Sequence, residues 1–155
     1  MIYILEGLDK SGKSNFASRF KTAAILHADK DTNCKIQLQK AIDLHLQGQD
    51  VILDRSFISE ICYGPVYRKC SKYNDVDIHD FVTKLISFPV IILYFDRPLS
   101  RCHFDTEDEF ECNARALAKV KRLYAKWMKF FARYLFVYRI NYVEAYSNEK
   151  EIYKN

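Results

Sequence analysis

The sequence predicts an α/β domain: a five-stranded parallel sheet covered by helices on both faces. Three observations carry this. Short apolar, β-rich runs alternate with helix-length segments along the chain. One of those runs, Val90–Phe95, is continuously apolar, as a strand buried on both faces must be. Two of the four glycines, Gly7 and Gly12, fall in one loop between the first strand and the first helix. Strands separated by helices argue for β-α-β units, with a ligand bound beyond the carboxyl ends of the strands.

Taken in order, Met1–Leu5 is a short buried strand and Gly7–Gly12 a loop. Lys13–Thr22 reads as a helix and Ala24–Ala28 as a second strand. Asn33–Gln47 has helical spacing at Ile36, Leu38, Ala41, Ile42 and Leu46, with Gly48 as its C-terminal cap. Val51–Leu53 is a buried strand ending at Asp54. Ser56–Tyr67 is a helix bent near Gly64-Pro65, and Asp77–Ser87 another, stopped by Pro89. Thr106–Leu135 is mainly one long helix, Phe136–Ile140 the last strand, and Asn148–Lys154 a terminal helical turn or two.

At 155 residues, one domain over 1–155 can bury a core unaided by disulfides or structural metal. A composition 49% hydrophobic and 28% charged excludes a disordered chain. The five cysteines are scattered, with no C-x-x-C pair, which removes a zinc site and favours a reducing compartment. No run approaches a membrane span and the N-terminus lacks a signal pattern, so a cytoplasmic protein is expected, in the host cytoplasm if viral. The net charge of +4 suits an anionic ligand but is far from that of a nucleic-acid coat. Homodimerisation is left open.

Gly7-Leu8-Asp9-Lys10-Ser11-Gly12-Lys13-Ser14 matches G-x-x-x-x-G-K-[ST] in full. Such a loop wraps a polyphosphate with inward-pointing backbone N–H groups, and the following helix adds its positive end. The cofactors implied are ATP and Mg²⁺. Gly7, Ser11, Gly12, Lys13, Ser14 and Asn15 are the expected nucleotide contacts, with Lys13 on the β/γ-phosphates and the Ser14 hydroxyl on the metal. A second acidic group is needed. Val51-Ile52-Leu53-Asp54 and Ile91-Ile92-Leu93-Tyr94-Phe95-Asp96 both have the form of a strand ending in Asp. Asp54 is preferred because Arg55 follows it with an anion-binding guanidinium. Asp96 is expected to cap the turn before Pro98. The guanine-specific N-K-x-D is absent from the sequence and no D-x-x-G switch element stands outside the phosphate loop itself, which sets GTPases aside.

Glu6-Gly7-Leu8-Asp9, together with Gly12-Lys13-Ser14, resembles the thymidylate kinase form of this loop. Asp54-Arg55-Ser56-Phe57-Ile58-Ser59-Glu60-Ile61-Cys62-Tyr63-Gly64 resembles that family's D-R-[YF]-x-x-S-x-x-A-[YF]-Q, and Asp96-Arg97-Pro98 the segment before its lid. The resemblance implies a P-loop kinase fold with a short lid near 98–110. It implies transfer of the ATP γ-phosphoryl group to a deoxynucleoside monophosphate, thymidylate or a related pyrimidine. Lys13, Lys10, Arg55 and Asp9 would carry the catalysis. Arg55 would bind the acceptor phosphate and Asp9 the sugar, favouring a deoxyribose. Ser59, Tyr63 and Tyr67 would line the acceptor pocket, while Ser14 and Asp54 would hold the metal. Lys10 stands where some members have a phosphoryl-stabilising arginine.

Departures from the family are also visible. No R-E-P follows the second strand, where His27-Ala28-Asp29-Lys30 stands instead. The helix at 33–47 has neither aromatic nor arginine to read a base, and Gly64 replaces the family glutamine. Asp54-Arg55-Ser56 also resembles the [DE]-R-S of deoxynucleoside kinases. Two further alternatives to the monophosphate-kinase reading are a kinase of nucleic-acid ends or bases, which would depend on the basic helix, and a non-catalytic nucleotide-binding module.

Arg115, Lys119, Arg122, Lys126, Lys129 and Arg133 fall on one helical stripe, opposite Leu117, Val120, Tyr124, Trp127, Phe131 and Leu135. A core-packed helix with a solvated cationic back is favoured over a nucleic-acid contact. The acidic cluster from Asp105 to Glu111 reads as a helix start, with Thr106 and Glu109 as a capping box. His27, His45, His79 and His103 are assigned no role.

Overall fold

The computed structural model describes residues 1–99 and 107–141, with the backbone alone over 107–112. The element order is β1 (Ile2–Gly7), α1 (Lys13–Ala17), β2 (Ala24–His27), α2 (Cys34–Leu46), β3 (Val51–Asp54), α3 (Phe57–Tyr67), α4 (Asp75–Leu85), β4 (Val90–Asp96), α5 (Glu107–Phe131) and β5 (Phe136–Asn141). The five strands form one parallel sheet in the order β2-β3-β1-β4-β5. The fold is the three-layer α/β fold of the P-loop kinases. The lid near 98–110 falls largely outside the described residues, and the turn at 148–154 wholly so.

Register explains why chemistry collects at one rim. Leu5 and His27 both sit opposite Asp54, and Gly7 opposite Phe95. The phosphate loop, the end of β2 and the two strand-end aspartates therefore leave the sheet at its carboxyl edge.

The sheet's two faces are covered unequally. On one, Ile2, Ile4, Val51, Leu53 and Ile92 pack against α2, α3, α4 and α5. Phe57 on α3 stacks on Phe81 of α4 at 4.1 Å and meets Phe131 of α5 edge-on. Burying large aromatic rings is worth about 1.5–3 kcal/mol each, which makes this junction the centre of the core. On the other face, Leu5, Ile52 and Phe95 are covered by Ala17 with Phe16 and Phe20. Helix α1 has five residues, not the ten predicted from Lys13 to Thr22. Beyond Ala17 the chain tightens into turns, Arg19 N–H donating to Phe16 O and Phe20 N–H to Ala17 O. This lets Phe20 fold back onto Tyr3 and Phe16.

Helix ends follow the local chemistry. The Asn33 side chain accepts from the N–H groups of Lys35 and Ile36. Gln47, not Gly48, is the C-cap of α2, with Gly48 N–H donating to His45 O and Gln49 N–H to Leu44 O just beyond it. A capping box between Asn74 and Asp77 starts α4 two residues before its predicted beginning. On α5, Val120, Tyr124 and Phe131 are buried while the five cations of the opposite stripe, Arg115 to Lys129, are exposed, as is Arg133 in the turn beyond it.

Candidate functional site

The loop from Gly7 to Gly12 is shaped by backbone constraints. Gly7 has φ +141°, and a Cβ there would lie 2.4 Å from the carbonyl oxygen of Phe95 on the neighbouring strand. Gly12 has φ +95°, and Lys10 also takes a positive φ. Lys13 is 5% exposed and its ammonium sits inside the arc. It donates to Gly7 O at 3.0 Å, Leu8 O at 2.6 Å and Ser11 Oγ at 3.0 Å. Burial pushes Lys13 down to about 8, aided by Arg55 and opposed by Glu6, Asp9 and Asp54. A cavity of about 410 Å³ opens over the loop, lined by residues 9–15 with His27, Ala28, Asp54 and Arg55. Because α1 is so short, the loop amides and Lys13, more than a helix dipole, make this cavity attractive to anions.

Ser14 Oγ donates to Asp54 Oδ2 at 3.0 Å. Nδ1 of His27 lies 3.0 Å from the same oxygen. The sequence assigned His27 nothing; its parallel register with Asp54 is the signal that could have found it. Among the described residues, the Asp96 carboxylate, expected to cap the turn before Pro98, faces two cations instead. It pairs with Lys121 of α5, at 3.0 Å, and with Arg139 of β5. Two cations hold its carboxyl below the usual range against the opposing effect of burial, and tie β4, α5 and β5 together.

Arg55, with φ +70°, turns its guanidinium back to pair with Asp9 across the mouth of the loop and over the Tyr63 ring. Arg97, 4% exposed, donates to the Asp9 carbonyl at 3.1 Å and fixes the loop from the β4 side. A second cavity, of about 330 Å³, shares Asp9, Ala28 and Arg55 with the first. It continues past Ser59, Glu60, Tyr63 and Tyr67 to Arg68, with Lys30 and Cys34 on the opposite wall. The Tyr63 and Tyr67 rings stack at 5.9 Å. These rings come from α3, which supplies the flat surfaces that α2 lacks.

Glu6 is wholly buried beneath this junction. Its carboxylate accepts from Ser56 Oγ at 2.7 Å, Ser59 Oγ at 2.5 Å and the Tyr124 hydroxyl at 3.0 Å. Ser59 thus lines the second cavity while its hydroxyl serves Glu6. Burial raises the Glu6 carboxyl above its ordinary 4.5, against the hydrogen bonds and Arg55, which favour the charge. The native state therefore holds this proton to higher pH than the unfolded chain does, and its contribution to stability falls as pH rises from about 4.5 through the native titration. Glu6→Gln removes that titration. Urea denaturation across pH should show wild type losing stability relative to Glu6→Gln over this window. A gap constant with pH would refute the assignment.

Of the residues expected from the sequence at the loop, the metal pair and the acceptor wall, all but Gly7 line one of these two cavities; Gly7 lies at the base of the loop against Phe95. Glu6, His27, Glu60, Arg68, Arg97 and Tyr124 are site residues to which sequence pattern alone gives no role.

No family model matches the chain. Over 85 residues it is 35% identical to a protein provisionally named as a thymidylate kinase, from Acidianus bottle-shaped virus (isolate Italy/Pozzuoli), covering 48% of this chain and 54% of that protein. The match thus spans about half the length of this viral relative. Among solved structures, the fold is similar to the YorR protein of Bacillus subtilis in complex with phosphorylated GDP, with a TM-score of 0.71 and 20% identity over 96% of this chain and 90% of that one. It is also similar to a deoxyadenosine kinase from M. mycoides with bound dATP, with a TM-score of 0.59 and 14% identity over 92% and 91% of the two chains. The fold and the loop define a P-loop kinase architecture. Within that class, the matched 85 residues are similar in sequence to the viral protein named as a thymidylate kinase.

Proposed function

We propose that this chain transfers the γ-phosphoryl group of ATP to a deoxynucleoside monophosphate. The observation that carries this reading is the wall shared by the two cavities: the Asp9–Arg55 pair, with Ala28, faces both. A donor phosphate over the loop and an acceptor phosphate at Arg55 meet there. Lys13 and the loop amides hold the donor, and Lys10 lines the donor side of that meeting point. Arg55 orients the acceptor phosphate, and Asp9 takes the sugar. Such chemistry is positioning and charge neutralisation, with no covalent nucleophile.

The Ser14 hydroxyl and the Asp54 carboxylate are adjacent oxygen donors of the hard type Mg²⁺ prefers, whereas Asp96 is committed to two cations. Mg²⁺ bound with ATP supplies charge neutralisation at the phosphates. Thymidylate or a related pyrimidine nucleotide is the first acceptor to try. The Asp54-Arg55-Ser56 sequence keeps a nucleoside acceptor as the second reading.

A screen with labelled ATP against nucleosides, nucleotides and oligonucleotides tests the proposal. Transfer to deoxynucleoside monophosphates is expected, and turnover confined to nucleosides or oligonucleotides would overturn it. Asp9→Ala should lower the preference for deoxy over ribo acceptors by about tenfold, the loss of one charged contact. An unchanged ratio of kcat/KM values would remove Asp9 from sugar recognition.

A further inference from the structure

We propose that Glu60 and Arg68 read the acceptor base, and that they select a base with an exocyclic amino group beside a ring-nitrogen acceptor, cytosine in the first instance, over thymine. The proposal rests on the phosphotransferase reading above and names the substrate of that same cavity.

Glu60 is 8% exposed and is one of the residues lining the cavity that begins at Arg55. A buried carboxylate requires partners. It pairs with Arg68, and its Oε1 accepts from the Lys72 backbone N–H at 3.2 Å. Among the described residues both interactions fall on Oε1, so Oε2 is left for a donor from the cavity. Glu60 owes its place to Gly64, one turn further along α3. A Cβ at 64 would lie 2.9 Å from Glu60 Oε1 and 2.8 Å from the Cys70 carbonyl oxygen. The carboxylate and the turn at 70–71 fill the space a larger residue would need. A side chain at 64 would therefore compete for space with the buried acid at 60.

Thymine presents an N3–H flanked by two carbonyl oxygens. A carboxylate facing it meets lone pairs on either side. Cytosine presents an amino group, then a ring nitrogen and a carbonyl oxygen. Glu60 can accept from the amino group while Arg68, partly exposed and free to adjust its fork, donates to the acceptors beside it. A site whose buried polar group is left unpaired by the wrong substrate discriminates strongly.

The test uses the purified full chain with labelled ATP and with dCMP and dTMP as competing acceptors. Wild type should favour dCMP by at least about tenfold in kcat/KM. Glu60→Gln turns one oxygen into an N–H donor and should shrink or invert that ratio by about tenfold, moving the acceptor KM and not the ATP KM. Wild-type preference for dTMP overturns the proposal. So does a ratio indifferent to Glu60→Gln in a variant that melts like wild type. If that variant does not fold, Arg68→Met, at a partly exposed position, makes the same comparison. Absence of turnover with every nucleotide would instead overturn the phosphotransferase reading. Calorimetric binding of dCMP against dTMP then decides the base proposal by itself, dCMP the tighter ligand if it holds and dTMP equal or tighter if it fails.

Discussion

Lys13→Ala is expected to lower phosphoryl transfer by about a thousandfold or more. The ammonium is the charge at the centre of the loop, held by Gly7 O, Leu8 O and Ser11 Oγ. Its natural partners are anions, and the three oxygens position it for them. Alanine removes the charge and leaves those acceptors without their donor. Lys13→Arg keeps the charge, but a planar fork does not match three acceptors converging on one point, so it should restore little. Single-turnover transfer from labelled ATP, with melting temperature as a control, measures this. Retained turnover in Lys13→Ala would take the loop out of the mechanism.

The largest expected effect on stability is at Gly7. Its φ of +141° is unfavourable to any side chain, and the added Cβ would sit 2.4 Å from the Phe95 carbonyl oxygen. That oxygen is backbone of an adjacent strand, which can yield only by opening the sheet at its functional rim. Gly7→Ala should destabilise the protein by about 3 kcal/mol, a backbone-strain term plus a clash in a packed region. Urea denaturation should show a lower midpoint, and ATP binding should be lost with it. A variant matching wild type in both would contradict the described path of the loop.

Much of this was legible in the sequence because it depends on local patterns. The run Val90–Phe95 reads as a buried strand, and the spacing Gly7, Gly12, Lys13, Ser14 matches the phosphate-loop pattern. The early end of α1 was not legible, because it depends on Phe20 finding Tyr3 and Phe16. Likewise, nothing near Asp96 in sequence announces Lys121 or Arg139, which arrive from α5 and β5. Glu6 was visible as a family letter but not as the acceptor of three hydroxyls drawn from α3, its N-cap and α5. Placements set by tertiary contact, such as those of His27, Glu60 and Arg68, needed the fold before they could be seen.

The wall shared by the two cavities has a further consequence. A side chain that belongs to both subsites cannot be optimised for one without disturbing the other. Substitutions at Asp9 or Arg55 will therefore show non-additive free energies with changes on either side, donor or acceptor. On the proposed reading, substitutions that alter acceptor choice alone should lie at the far end, beyond Tyr63, where the lining is no longer held in common. The same geometry favours bisubstrate inhibitors, since a linker replacing the transferring group would cross a single ion pair.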